Sequence, residues 1–337
     1  MPGNSEQPLP IETGSPLADH RRVVVEDQAG PLRLLAKTAA TKRRKRRLES
    51  AGRLGEHFSR TIAVTSGKGG VGKTNLACNI AIQLAKSGEK TLLLDADLGL
   101  SSVDTILGFL PEKTLYDALF RAVPISEIVT LGPAGVSIIT GGSGILELAH
   151  LSDRRREQFI GDLRQLEAIA DWLIIDTGAG LGKTVMAFIK AANEVMVVTT
   201  PEPTAITDAY AMVKVASARN RAARLGIVVN MVSSQKEAQA VFSRISSVSR
   251  QFLSFNVHSL GFVPYDTSVS QAVRAQTPLL QAFPDSPAAR AIAAVTRAVK
   301  GEAEKTSPSR GGIRGFIDRL SDLWRSQEEV GRGQRRS

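Results

Sequence analysis

Ser66-Gly67-Lys68-Gly69-Gly70-Val71-Gly72-Lys73-Thr74 is the stretch that decides the fold. Counted from Gly67 it satisfies Gly-x-x-x-x-Gly-Lys-Ser/Thr, and it stands where that pattern has physical meaning. The apolar run Ile62 to Val64 precedes it, and a helical pattern through Leu76, Ile80 and Leu84 follows. Glycines let backbone N–H groups curl around a phosphate, and the start of a helix adds a dipole that favours negative charge. Lys73 is placed to neutralise β- and γ-phosphate oxygens, and the Thr74 hydroxyl to ligate Mg2+. Gly67, Lys68, Gly69, Gly70, Val71, Gly72, Lys73, Thr74 and Asn75 form the expected nucleotide cradle.

Outward from the loop, short apolar runs alternate with helical segments: Ile62 to Val64, Thr91 to Leu94, Val136 to Ile139, Leu173 to Ile175, Val195 to Val198 and Ile227 to Val229. Fully apolar strands separated by helices imply a mostly parallel sheet covered on both faces, a three-layer α/β P-loop NTPase. Two of these runs end in acids. Asp95 and Asp97 lie two apart, so in a strand they share a face, and at a strand's C-terminal end they look into the nucleotide crevice. Asp176 closes Leu173-Ile174-Ile175 as a Walker B carboxylate, and Thr177-Gly178-Ala179-Gly180 reads as the loop that senses the γ-phosphate. Gly182-Lys183-Thr184 imitates a second phosphate loop, but the leading glycine is one place out of register, leaving one nucleotide site.

The chain of 337 residues is 42% hydrophobic and 23% charged, values of an ordinary folded protein. Its formal charge of +10 is concentrated toward the ends, which suggests an anionic partner such as lipid or nucleic acid. A lone cysteine, Cys78, excludes a disulfide within the chain and any Cys-x-x-Cys metal or iron–sulfur site. With no leader pattern and no run of about 18 apolar residues, the expected location is the cytosol. The organisation reads as a basic, mostly disordered arm over 1–58 with one short helix, an ATPase domain over 59–300, a linker over 301–312, an amphipathic helix over 313–327 and a basic tail over 328–337. In that helix Ile313, Phe316, Ile317, Leu320, Leu323 and Trp324 recur at helical spacing, with Arg314, Asp318, Arg319, Asp322 and Arg325 elsewhere around it. Such a stripe suits a bilayer interface, with Arg319 near lipid phosphates, or a docking place on the protein's own core. The run Lys42 to Arg47 is compatible with membrane, nucleic acid or plain solvation.

Lys68 sets the loop apart, because a lysine at its second position is free to reach a neighbour's nucleotide. Ser66 to Thr74 resembles the deviant Walker A loop of the MinD/ParA ATPases. The resemblance implies Mg-ATP as cofactor, an ATP-bound homodimer, slow hydrolysis, and Lys68 acting across the dimer in the role of an arginine finger. It further implies that Asp97 positions the attacking water, that Asp95 reaches Mg2+ through water beside Thr74 and Asp176, and that Asn230, Pro264 and Asp266 frame adenine. Glu202 and Asp208 are candidates to pair with Lys68 when nucleotide is absent.

From Arg60 to Ala298 the resemblance narrows to the FlhG/FleN (YlxH-like) regulators of flagellar number. It rests on Asp95-Ala-Asp-Leu-Gly-Leu100, Pro201-Glu-Pro-Thr204 and Gln271-Ala-Val-Arg274. In the arm, Asp27, Gln28 and Arg33 match a family D-Q-A-x-x-L-R motif that activates the signal-recognition-type GTPase FlhF, although Gly30-Pro31 interrupts any helix there. The picture implied is a switch on the inner face of the cell membrane, polar placement included, with a flagellar switch or regulator protein as a further partner. The rival is a ParA-type partition ATPase that binds DNA nonspecifically.

Overall fold

The computed structural model describes residues 59–97, 103–141, 153–304 and 311–334. Asp27, Gln28, Arg33 and the Lys42 to Arg47 run fall outside them. Among the described residues, eight strands make one sheet: β1 (Arg60–Ser66), β2 (Thr91–Ala96), β3 (Thr130–Leu131), β4 (Ser137–Ile139), β5 (Trp172–Ala179), β6 (Glu194–Thr199), β7 (Arg224–Val232) and β8 (His258–Pro264). Their order is β3-β4-β2-β5-β1-β6-β7-β8, parallel throughout except that β3 runs antiparallel to β4. Each apolar run read from the sequence lies in or against a strand. Two strands are not among those runs: β8, whose apolar pattern is weak, and β3, two residues long, which has none.

Parallel neighbours need crossover helices, and these cover both faces. α1 (Lys73–Lys86), α2 (Val103–Leu107), α9 (Thr267–Arg274), α10 (Leu279–Ala282) and α11 (Pro287–Glu304) pack on the face carrying Ile62, Val64, Leu93 and Ile174. The opposite face carries Leu92, Leu173, Ile175, Val195 and Ile227. It is covered by α3 (Leu115–Phe120), α4 (Ile125–Ile128), α5 (Asp153–Arg164), α6 (Lys183–Ala191), α7 (Pro203–Arg219), α8 (Gln235–Leu253) and α12 (Gly312–Gln334). Successive strand residues thus feed opposite layers, which is why the runs are apolar without alternation. β1 sits between β5 and β6, so the loop that leaves its C-terminal end opens over the middle of the sheet, at the point where the strand order reverses.

The C-terminal helix differs from the bilayer-facing reading. It spans 312–334, not 313–327, and Ile313, Phe316, Ile317 and Leu320 are buried in the protein's own core beside Phe159, Leu173 and Phe188. Leu323 is half-buried, and the Trp324 side chain is outside the described set. The Phe316 ring lies parallel to Phe188 of α6, centroids 6.3 Å apart. Arg319 does not point to a lipid-like surface: its Nε donates to the Ala191 carbonyl at the end of α6, at 2.8 Å, where a cation suits the helix dipole. Arg164 Nη2 pairs with Asp318 at 2.6 Å. The physical reason is plain: an apolar stripe goes to whatever apolar surface is at hand, and the sheet offers one. At the helix start Gly312 has φ +53°, and a β-carbon there would fall 2.3 Å from Ser59 Oγ, which itself accepts the Ile313 N–H at 2.8 Å.

Candidate active site

The phosphate loop runs from β1 into α1. Gly70 and Gly72 have φ of +79° and +83°, conformations that glycine adopts without cost, and Gly72 caps α1 with no side chain on its first N–H groups. No acid stands in that first turn, so the helix start is set to receive an anion. Gly67 answers a different need: a β-carbon there would meet the Asp208 carbonyl oxygen of α7 at 2.3 Å.

Both lysines of the loop are held by carboxylates of the same chain. Lys73 Nζ donates to Asp176 Oδ1 at 2.6 Å, and both side chains are buried. Burial raises the Asp176 pKa, the Lys73 charge and the Lys73 and Thr74 hydrogen bonds pull it back, and the Asp97 charge adds to the rise. Asp95 is the cross-strand neighbour of Asp176, also buried, and accepts the Asp97 N–H at 3.1 Å. Asp97 lies just beyond β2, with Oδ1 3.4 Å from where a Gly178 side chain would begin. The two acids two apart in sequence and the Walker B acid therefore meet where the sequence placed the crevice. Thr74, Asp95 and Asp176 bring hard oxygen donors together, and Asp176 Oδ2 is buried without a well-formed hydrogen bond, a donor set suited to Mg2+.

Lys68 Nζ reaches Glu202 Oε1 at 2.5 Å and Thr204 Oγ1 at 3.1 Å, at the start of α7. Hydrogen bonds from Lys68 and then Thr204 lower the Glu202 pKa. Of the two acids considered for Lys68, Glu202 holds it, while Asp208 meets the loop only through the crowding at Gly67. Thr204 had no motif to mark it. Nor did Asn79, fully buried in α1, which donates to the Asn75 carbonyl at 2.8 Å and accepts the Leu280 N–H at 3.0 Å.

The residues expected to frame a base all have structural work. Asn230 donates to the Val71 carbonyl at 2.8 Å, bracing the loop from behind. Asp266 caps α9 through the Ser268 N–H at 2.9 Å and clamps the Ala288 N–H at 3.0 Å. Pro264 ends β8. Cys78 is buried in α1, and burial raises its thiol pKa first, the Asp176 and Asp95 charges next. Gly182 caps α6, and Lys183 begins it.

Residues 57–300 match a family model described as ParA, the NUBPL iron-transfer P-loop NTPase. The chain belongs to the ParA/MinD family of P-loop NTPases. Members of this family are ATPases. It is 39% identical to the antiactivator FleN of Pseudomonas aeruginosa over 264 residues, 78% of this chain and 94% of FleN. It is 35% identical to the flagellum site-determining protein YlxH of Helicobacter pylori, over 77% of this chain and 88% of YlxH. Among solved structures it is similar in fold to the cell division ATPase MinD of Pyrococcus furiosus, with TM-score 0.59, 22% identity and coverage of 72% and 99%. MinD of Pyrococcus horikoshii, solved with Mg-ADP, gives TM-score 0.58 at 23% identity over 74% of this chain and 99% of that one.

Proposed function

We propose that this chain is an ATP-driven switch that regulates flagellar number or placement, moving between a monomer and an ATP-bound dimer and between free and membrane-attached states. The likeness to FleN and YlxH supports the flagellar assignment. Thr74, Asp95 and Asp176 would hold Mg2+, which would draw charge from the β- and γ-phosphates. Lys73 steadies those oxygens, Asp97 orients the attacking water, and Lys68 leaves Glu202 to reach the partner's nucleotide. The arm residues Asp27, Gln28 and Arg33 meet a signal-recognition-type GTPase.

One observation carries the membrane part of this reading. α6 begins directly after the γ-phosphate-sensing loop Thr177 to Gly180, and its Phe188 and Ala191 are the groups that Phe316 and Arg319 grip. A shift of that loop on nucleotide binding is passed to the face that holds α12, and two released helices on one dimer gain avidity for lipid that one lacks. No helix among the described residues is long and apolar enough to cross a membrane, so attachment is peripheral in this scheme.

The test is flotation with anionic phosphatidylglycerol vesicles, alongside sedimentation. Asp97→Ala with Mg-ATP is expected to sediment as a dimer and to float, and Lys73→Ala to do neither. Equal flotation with and without ATP breaks the coupling, and a monomeric Asp97→Ala protein breaks the dimer.

A further inference from the structure

Asparagine is a poor residue for the interior of a helix, and a buried carboxamide is costly unless its polar groups are used. Asn79 is both: it stands in the middle of α1 and is fully buried, between Cys78 and Ile80, which are buried as well. Its Oδ1 accepts the Leu280 N–H at 3.0 Å, in the first turn of α10, whose own N-cap residue Pro278 supplies no side-chain bond. Lys86 Nζ, two turns further along α1, donates to the Leu280 carbonyl at 2.9 Å. Both backbone groups of Leu280 are therefore held by side chains of α1.

The Leu280 bond decides how the rest is oriented. A carboxamide has one accepting and one donating end, so with Oδ1 committed to Leu280 the Asn79 Nδ2 faces back along α1. There it donates to the Asn75 carbonyl at 2.8 Å and to Asn75 Oδ1 at 3.1 Å. Asn75 has to offer its oxygen, which turns its own Nδ2 away, buried and with no acceptor among the described residues. A buried donor left unmade is a cost, and it falls at the end of α1 that carries no cap: Gly72 has no side chain to supply one, and no acid stands in the first turn. A side-chain cap would occupy the N–H groups that a phosphate needs.

We infer that Asn79 is a positioning residue for the phosphates of the bound nucleotide: it braces the first turn of α1 from the second, and so stands in for a cap without covering the free N–H groups. The brace is anchored outside the helix, at Leu280. Asn79 lies more than a turn beyond Thr74 and acts only through Asn75. The inference rests on the reading of Gly67 to Thr74 as the phosphate site.

The experiment is calorimetric titration of inorganic pyrophosphate into the full chain, with urea unfolding of the same proteins: wild type, Asn79→Thr, Asn79→Val and Lys73→Ala. Threonine and valine have the same shape, and both lose the bond to Leu280. Only the threonine hydroxyl can donate to the carbonyl four residues back, so Asn79→Thr alone keeps the brace on Asn75. Asn79→Val is expected to unfold at no lower urea than Asn79→Thr, yet to bind pyrophosphate about tenfold more weakly than it. A purely structural role would make affinity follow stability. Lys73→Ala is expected to lose pyrophosphate altogether. Hydrogen exchange of ligand-free wild type needs no variant: residues 73–78 should be protected as well as 79–86, despite the missing cap. Four results overturn the inference. Equal losses in the two Asn79 variants would leave only a structural bond to Leu280. Wild-type affinity in Asn79→Val, with binding lost in Lys73→Ala, would remove the brace alone. Wild-type affinity in Lys73→Ala would remove the phosphate-site reading and the brace with it. Free exchange over 73–78 in wild type would show a first turn that nothing holds.

Discussion

Two regions of this molecule hold their own functional groups, and they do so by opposite physics. At the phosphate loop the holding contacts are polar and few: Lys73 on Asp176, Lys68 on Glu202. At the C-terminal helix they are apolar and extended, with Ile313, Phe316, Ile317 and Leu320 all buried. The Lys68–Glu202 pair has side-chain exposures of 39% and 54%, so water and salt weaken it and exchanging its partner costs little. Each of the four apolar side chains is worth about 1.5–3 kcal/mol when fully buried. Re-pairing a surface lysine cannot supply that. In the proposed switch, therefore, nucleotide could give permission for the helix to leave, and another apolar environment would have to supply the free energy.

The comparison breaks most easily at the polar end. Lys73→Ala removes the buried cation and the phosphate ligand together, and phosphate release with saturating Mg-ATP should fall by about a hundredfold or more. Turnover near wild type would move the chemistry away from this loop. Next in size is Phe316→Glu, which puts a charge against Phe188. Large-to-small changes at such ring positions cost about 3–5 kcal/mol, and an unpaired buried charge does not cost less, so α12 should come off its groove. Limited proteolysis should then cut within 312–334 while 60–300 stays resistant. A helix that remains protected would mean that the stripe is not its anchor.

Arg319→Ala removes a charge-assisted bond to the Ala191 carbonyl and should weaken docking by about 1.5–3 kcal/mol, read from the rate of amide exchange along α12. The smallest effect belongs to Arg164→Ala. Its pair with Asp318 is 47% and 43% exposed, and the change should be under about 1 kcal/mol in urea unfolding. If Arg164→Ala exceeds Arg319→Ala, the ranking of polar surface against buried contact is reversed.

The same contrast explains what the sequence made legible. That Lys73, Asp95 and Asp176 come together was readable because acids late in parallel strands and a lysine at a helix start face one crevice, and the central strands were readable because burial on both faces leaves few polar positions. β3 is too short to carry a period, and β8, with exposed residues at its start, carries a weak one. The α12 stripe was readable as a helix but not as a destination, since lipid and core ask for the same side chains. Asp266 shows a like ambiguity: an acid after a strand suits a base contact or a helix cap, and the Ser268 N–H bond shows the cap without deciding the other. The left-handed backbone at Met231 was not legible, because no local pattern records a backbone angle.

The contact between Gly312 and Ser59 has a mechanical side. Ser59 stands at the foot of β1, the strand whose far end becomes the phosphate loop, so the C-terminal helix is hinged at the pole of the sheet opposite the nucleotide. A 23-residue helix is about 34 Å long. The Ser59–Ile313 hydrogen bond ties the root of α12 to the foot of β1, so the helix is tethered first at the end farthest from its own C-terminus.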